Sequence, residues 1–561
     1  MSHEESLSNG LKAKYNVAIP MRDGVRLSAD VYLPDKDGRY PVVLTRTYYG
    51  KCNRDLTEKE MGEFVRYFVE RGYVVVIQDC RGRYDSEGQF YIELYDFDDG
   101  YDTVEWCATQ EWSNGKVGMF GCSYPGCVQL SAAISGNDHL KCIVPRDATS
   151  DDYFNGGFMH GGVMQGWLGW CVHTAGRASR EGIRKNTRWD KVYRELPLID
   201  LDERLGFNFP WWKDYLKHPC YDEYWERFSY EKKHDQISTA SLNIGGWYSV
   251  SDIDGTIRNF LGLTQNGKKL PLGTHHKLVI GPWPHCETAR SCGELDFGEQ
   301  AQLDLKEIHL RWYEYWLKGS DTDFMREPPV KYFLMGANRW CAAGSWPPEA
   351  VSYVRYYLHS NGRANSLLGD GLLNTSRPDE EKYDQFTYDP ENPVPFAIQE
   401  HEQLILDQRV VERRDDVLVY TTPPVNDDVA VVGPIRAKIF ASSSAVDTDF
   451  VAKLIDVNPN DMAIFLTIGI VRARYRNSFE KPTLMEPGAV YEFNVDMSNT
   501  ANQFKKAHRI RLEVSSSAFP YFLKNQNTGK DIGTDTGSIV ARQTVYHNQS
   551  FQSYLELPIL K

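Results

Sequence analysis

The stretch "GKVGMFGCSYPGCVQL", Gly115 to Leu130, decides how the chain is read. An apolar run through Val117, Met119 and Phe120 leads into Gly121-Cys122-Ser123-Tyr124-Pro125-Gly126, and a small-residue apolar segment follows. A serine at the corner between a buried strand and a helix is either a plain turn or a nucleophile held where substrate can reach it. Flanking glycines permit a strained turn and close backbone approach. The spacing is G-x-S-x-x-G, so the second glycine falls one residue later than in the standard elbow. The motif alone is common. Its place between a predicted strand and a predicted helix favours the nucleophile reading of Ser123.

The flanks supply the sheet that such a corner needs. "YPVVLTRTYY" (Tyr40–Tyr49) is a β-branched run, and "EKEMGEFVRYFVERG" places Phe64, Phe68 and Val69 on one helical face before Gly72. "YVVVIQDC" predicts a buried strand and "DDGYDTVEWCATQEW" a helix whose acidic start suits the helix dipole. This βαβαβ order predicts a parallel sheet with helices on both faces, covering residues 1–146.

From 147 to 236 the chain is glycine-spotted, aromatic and helical, with no credible buried strand, and is expected to form an inserted cap. The α/β pattern resumes over 237–347: "ASLNIGGW" and "HKLVIGPW" as strands, "GTIRNFLGLTQ" as a helix, and "QLDLKEIHLRWYEYWLKG" as a long amphipathic helix. From 348 to 561 short alternating runs between turn residues predict a β-sandwich.

The bulk numbers narrow the function. A chain of 561 residues has room for two to four domains. Its net charge of -14 argues against a nucleic-acid partner. The eleven cysteines show no CxxC pair and no zinc spacing, so no metal is expected. Cys122, Cys127 and Cys142 sit among apolar residues and read as buried free thiols, which fits a reducing compartment. The N-terminal stretch has no apolar signal core, and no run approaches the ~20 apolar residues of a membrane span. The expectation is a soluble cytoplasmic protein that needs no membrane; a homo-oligomer is left open.

A serine hydroxyl needs a base within hydrogen-bonding reach. His285 follows the strand "HKLVIGPW", which puts it on the same sheet edge as Ser123. The acid should follow "LNIGGW", where Asp252 and Asp254 stand. Asp254 suits the cap of the helix beginning near Gly255, which leaves Asp252 for the triad and Asp254 as the alternate. The backbone N–H of Tyr124 is the usual first oxyanion donor, and a second should come from the loop carrying Tyr48 and Tyr49.

With these residues assembled, the chain resembles the cocaine esterase / glutaryl-cephalosporin acylase / X-prolyl dipeptidyl aminopeptidase group of serine hydrolases, over nearly its whole length. "MRDGVRLSADVYLP", "DCRGRYDSEGQF", "GCSYPG", "GGWY", "GPWPH", "LRWYEYWLKG" and "KYFLMGANRW" follow in the family's order, and "VDTDFVAKLIDV", "GIVRARYR", "HRIRLEVSSSAFP" and "NQNTG" resemble its C-terminal jelly roll. The resemblance implies an α/β-hydrolase core, an inserted helical cap and a jelly-roll domain, with the site where the three meet. It implies Ser123 as nucleophile, His285 as general base, Tyr49 as oxyanion donor because of "RTYYGK", and no cofactor. One departure stands out: Ser249 occupies the position after G-W-Y where the family usually has aspartate, and the following loop is about one residue longer.

The expected substrate is a small-molecule ester or amide. Phe154, Phe158, Met159, Trp167 and Trp170 are candidates for an apolar acyl pocket, with cap core as the competing role. Asp151 and Asp152 are expected to form a solvated acidic turn, with reception of a substrate amine as the alternative. Competing functions are an X-prolyl dipeptidyl peptidase, an acyltransferase, and a non-catalytic binding protein motivated by Ser249.

Overall fold

A computed structural model describes residues 3–7, 11–51, 58–155, 158–267, 275–396 and 407–561. Its first half is built on strands β1 (His3–Leu7), β2 (Leu11–Pro20), β3 (Arg26–Pro34), β4 (Tyr40–Thr47), β5 (Val74–Asp79), β6 (Ser113–Cys122) and β7 (Leu140–Arg146). Helices α1 (Glu58–Val69), α2 (Asp96–Thr109) and α3 (Tyr124–Ile134) connect them. Between β7 and the resumption of the sheet lie a two-rung hairpin, β8 (Met159–His160) with β9 (Val163–Met164), and six short helices: α4 (Leu168–His173), α5 (Glu181–Asn186), α6 (Trp189–Val192), α7 (Leu201–Arg204), α8 (Pro210–Lys217) and α9 (Glu223–Glu226). The sheet then continues with β10 (Ala240–Tyr248), α10 (Ile253–Asn266), β11 (His276–Pro284), the small hairpin β12 (Ser291–Cys292) and β13 (Leu295–Asp296), α11 (Leu305–Tyr313), β14 (Val330–Leu334) and β15 (Arg339–Ala343).

Among the described residues the main sheet has the order β1-β2-β3-β5-β4-β6-β7-β10-β11-β14-β15. The run from β5 to β14 is parallel, and the pairs at either end are antiparallel. Strands covered on both faces need apolar residues throughout, and β5 and β10 are buried at every position. Val65 and Phe68 of α1 and Trp312 and Tyr313 of α11 pack with Phe120 and Val144 on one face. Val104 and Cys107 of α2, Leu130 of α3 and Leu263 of α10 pack with Val117 and Ile143 on the other. Each such buried side chain contributes about 1.5–3 kcal/mol.

Two expectations need correcting. The cap segment does contain strand, because the β8–β9 hairpin is stitched to the C-terminal domain: Arg472 N donates to Gly161 O at 2.9 Å, Leu523 N to Met164 O at 2.8 Å and Gly166 N to Tyr521 O at 2.9 Å. The long amphipathic helix is shorter than its pattern, ending at Tyr313 and widening into a π turn over Glu314–Lys318.

The C-terminal domain is the jelly roll, a second sheet assembled from strands between Val351 and Leu560. Its core is continuous with the first domain: Trp247, Tyr248, Ile257 and Phe260 belong to the same apolar cluster as Phe450, Ile468 and Leu512. No helix among the described residues is long and apolar enough to cross a membrane.

Candidate active site

Tyr49, Ser123, Asp252 and His285 follow the carboxyl ends of parallel strands β4, β6, β10 and β11, where open α/β sheets place their sites. Ser123 follows β6 and holds φ 62°, ψ -128° as α3 begins, a conformation a side-chain-bearing residue rarely adopts. Its N–H donates to Arg146 O at 2.8 Å, and its carbonyl accepts from Gly126 N at 2.7 Å and Cys127 N at 3.0 Å. The two glycines explain the unusual spacing. A Cβ on Gly121 would lie 2.5 Å from Pro125 Cβ, and one on Gly126 would lie 2.9 Å from Arg146 O. The later glycine therefore lets the start of α3 press against the end of β7.

Tyr49 stands beside Ser123, close enough for the serine side chain to influence its ionisation. Its phenolic oxygen accepts from Tyr48 OH at 2.7 Å and from Trp170 Nε1 at 3.4 Å. With those lone pairs engaged, its own proton is free for donation elsewhere. Burial raises the Tyr49 pKa more than these bonds lower it, so the phenol stays protonated at neutral pH. Two motif residues fix this loop: Arg83 Nε donates to Tyr48 O at 2.9 Å while its Nη1 reaches Thr174 O of the cap at 2.6 Å, and Lys51 N donates to Asp79 Oδ1 at 2.6 Å. Tyr124 adds its backbone N–H at the first position of α3, while its hydroxyl donates to buried Asp96.

His285 follows β11 with its side chain 35% exposed. Its Nδ1 lies 3.0 Å from Ser249 Oγ and 3.2 Å from Asp252 Oδ2. Ser249 Oγ in turn donates to Asp252 Oδ2 at 3.5 Å, and Ser251 Oγ donates to the same oxygen. A hydroxyl that donates to a carboxylate accepts from its other neighbour, so this order puts the proton on Nδ1 and leaves Nε2 as the basic nitrogen. Burial pushes the imidazole pKa down, but the charge and hydrogen bond of Asp252, with Asp147 behind it, outweigh burial and raise it.

Asp252 thus meets the histidine from the shifted loop, and Ser249 stands between them. Asp254 turns away: it pairs with Arg258 at 2.5 Å and accepts from Asn499 of the jelly roll at 3.0 Å. The capping argument for Asp254 fails, since Asp252 holds the N-cap position of α10 and neither carboxylate caps it.

Sequence reasoning missed three residues. Asp147, the residue after β7, is buried with φ 44° and accepts from Cys286 N at 2.9 Å and Gly246 N at 3.2 Å. Burial raises its pKa, against the pull of His285 and Arg146. Cys122 is not a free thiol; it forms a disulfide with Cys286, 164 residues away, with the Cα atoms 5.8 Å apart. Such a bond is the opposite of a reducing-compartment signature. The available signal was positional, a cysteine directly before the candidate serine and another directly after the candidate histidine.

The aromatic candidates divide. Trp170 reaches Tyr49 and packs on Tyr48, Phe158 packs on Trp170, and Met159 joins the same buried cluster. Trp167 stands edge-on to Trp170 and bonds Gln165. Phe154 instead packs against Tyr221 and Phe479. Asp151 and Asp152 are not a solvated turn: both are buried, Asp151 bonded to Tyr221 OH and Asp152 to Thr149 Oγ1. Burial, with the charge of Asp151, pushes Asp152 up to about 8.

An α/β-hydrolase core with a serine elbow, an inserted cap and a jelly roll defines a class, and the chain belongs to it: it is a serine hydrolase of the S15 family. Residues 23–287 match the X-Pro dipeptidyl-peptidase (S15) family and residues 322–556 the X-Pro dipeptidyl-peptidase C-terminal non-catalytic domain. Among its relatives, the cocaine esterase of Rhodococcus sp. (strain MB1 Bresler) is 37% identical, with 97% of this chain and 98% of that protein covered. Two solved structures are similar throughout. An aminopeptidase from a marine sediment archaeon, Thaumarchaeota archaeon, has a TM-score of 0.87 at 27% identity, covering 100% of this chain and 96% of that one. An alpha-amino acid ester hydrolase has a TM-score of 0.86 at 26% identity, covering 99% and 97%.

Proposed function

We propose that the protein is a carboxylic ester hydrolase in which Ser123, His285 and Asp252 form the triad and Tyr49 OH and the Tyr124 N–H hold the oxyanion. His285 Nε2 takes the Ser123 proton as Oγ attacks the carbonyl carbon, and the same proton then passes to the leaving alkoxide. Water repeats the sequence on the acyl-enzyme, with Nε2 taking its proton and returning it to Ser123. Asp252 and Ser249 hold the Nδ1 proton and stabilise the imidazolium, a charge the neighbouring Asp147 also favours. The chemistry uses no cofactor.

The observation that carries this reading is the histidine clamp. Asp252 Oδ2 at 3.2 Å and Ser249 Oγ at 3.0 Å from Nδ1 support Asp252 as the acid despite the serine at position 249. Trp170 and Phe158, packed edge-on to each other behind the oxyanion tyrosine, favour an apolar acyl group of modest size. The 37% identity to a protein named for ester cleavage favours an ester over an amide. A dipeptidyl-peptidase reading needs a free anionic subsite for the substrate ammonium, and Asp151 and Asp152 are occupied in internal bonds.

The test compares p-nitrophenyl esters of increasing acyl size with a Gly-Pro p-nitroanilide. A fluorophosphonate probe should label Ser123 in the wild type and lose that label in His285→Ala. Turnover of the anilide well above every ester would overturn the ester assignment.

A further inference from the structure

We propose that the Cys122–Cys286 disulfide is a positioning element for catalysis, holding the serine corner and the histidine loop in register so that turnover depends on its oxidised state. The inference rests on the triad reading above and deepens it.

The argument begins with the sheet. β6 and β11 are separated by β7 and β10, so the strands that deliver Ser123 and His285 lie three spacings apart, roughly 14 Å. Yet the Cα atoms of Cys122 and Cys286 are 5.8 Å apart. Cys122 is still paired with Arg146 at the end of β6, so the turn after β11 reaches back over the ends of the intervening strands, and the covalent bond closes the arch.

The arch is strained at each footing. Ser123, Asp147 and Cys286 carry φ of 62°, 44° and 59°. Non-glycine residues keep such conformations only where their surroundings over-determine them. Asp147 acts as a post beneath, accepting from Cys286 N at 2.9 Å and approaching Cys122 Sγ at 3.6 Å. Removing the bridge leaves the turn following His285 to that hydrogen bond and a long one from Glu287 N to Pro284 O at 3.4 Å. The clamp on Nδ1 fixes how the ring is oriented, whereas the bridge fixes how far the ring stands from Ser123.

The location is also selective. None of the other eight described cysteines is paired, and six of them are buried. Cys122 and Cys286 are both partly exposed and open to a small reductant. A dithiol would deliver two electrons and two protons, breaking the Sγ–Sγ bond to give two thiols while becoming a disulfide itself.

The experiment uses the full-length protein and a p-nitrophenyl ester. Without reduction, the denatured chain should present nine of its eleven cysteines to a thiol reagent. Dithiothreitol should lower kcat about 10²-fold with little change in KM, the effect of an ångström-scale misplacement. Re-oxidation should restore it. The Cys122→Ala/Cys286→Ala double variant should show the same kcat loss and no further response to dithiothreitol, while its circular dichroism keeps the wild-type form. If that variant does not fold, reversible reduction of the wild type carries the test. An unchanged kcat in the reduced protein, eleven reactive thiols, or a double variant still inhibited by dithiothreitol overturns the proposal. Activity surviving in Ser123→Ala would instead strike the triad reading, so the two failures are distinguishable.

Discussion

Among the described residues, the proposed set of Ser123, His285 and Asp252 has a counterpart in the jelly roll, and their difference teaches what such a set needs to be reactive. There Ser360 Oγ donates to Asp384 at 2.7 Å and sits 3.3 Å from His547 Nε2, which is 2.8 Å from Asp384. By composition and distance the second is the tighter. But Asp384 and His547 are fully buried, and both imidazole nitrogens are engaged, Nδ1 by Glu381 at 3.2 Å and Nε2 by Asp384. Tyr420 OH also donates to Asp384 at 2.8 Å. Every lone pair and proton is spent on structure. In the first cluster the carboxylate side of the ring is clamped, the other nitrogen is left over, the imidazole is 35% exposed, and the serine is lifted by a strained backbone.

The sharpest way to break this contrast is to delete each serine. Ser123→Ala should lower kcat by about six orders of magnitude and abolish fluorophosphonate labelling, whereas Ser360→Ala should leave turnover unchanged. Next comes the carboxylate: Asp252→Asn should cost about four orders in kcat, and Asp254→Asn far less. The base must be unprotonated, so kcat/KM rises with pH through the pKa of His285, which Asp252 holds above its usual value. Losing that charge should move the acidic limb of the profile to lower pH. Tyr49→Phe should reduce kcat about 10²–10³-fold at nearly constant KM. Ser249→Ala removes one hydrogen bond on Nδ1 and should cost about tenfold.

The smallest effect on turnover, and the largest on stability, belongs to the buried cluster. His547→Asn should leave kcat intact at low temperature but destabilise the fold by about 3–5 kcal/mol, since it leaves buried Asp384 without its cation. Burial works against both charges, but the mutual hydrogen bonds and attraction raise the pKa of His547 and lower that of Asp384. The raised histidine contributes stability that is complete below its unfolded value of 6.5 and lost as pH rises through the folded value. The lowered aspartate contributes stability present above 3.8 and lost as pH falls through its folded value. Melting temperature should therefore plateau between these limits in the wild type, and the plateau should flatten in the variant.

What was legible in the sequence follows from the range of the physics. Strand and helix periodicities are local, so β4 to β6, α1 to α3, β10 and β11 emerge within a few residues of their expected positions, while β7 has no counterpart in that reading. The positions of Ser123 and His285 past β6 and β11 are legible because each abuts a strand end, which ties chain position to a place on the sheet edge. Two arguments point to Asp252, a helix-capping role for Asp254 and a longer loop after G-W-Y; α10 overturns the first, while the contact with His285 fits the second. Asp147 carried no signal, being the first residue past β7 in a stretch assigned to the cap. Cys122 was misjudged because an apolar neighbourhood describes a thiol and its half-cystine equally well. Its partner lies 164 residues on, beyond any local pattern.

The backbone seam between the β8–β9 hairpin and the jelly roll has an architectural consequence. Swinging the cap away on a hinge would rupture the three main-chain links at Gly161, Met164 and Gly166 together. The hairpin and the jelly roll are therefore expected to shift as one body, not as a door and its frame. A chimera that borrows the cap of another esterase to change its taste must import the matching stretch of residues 470–525 as well, because the two were cut from one cloth.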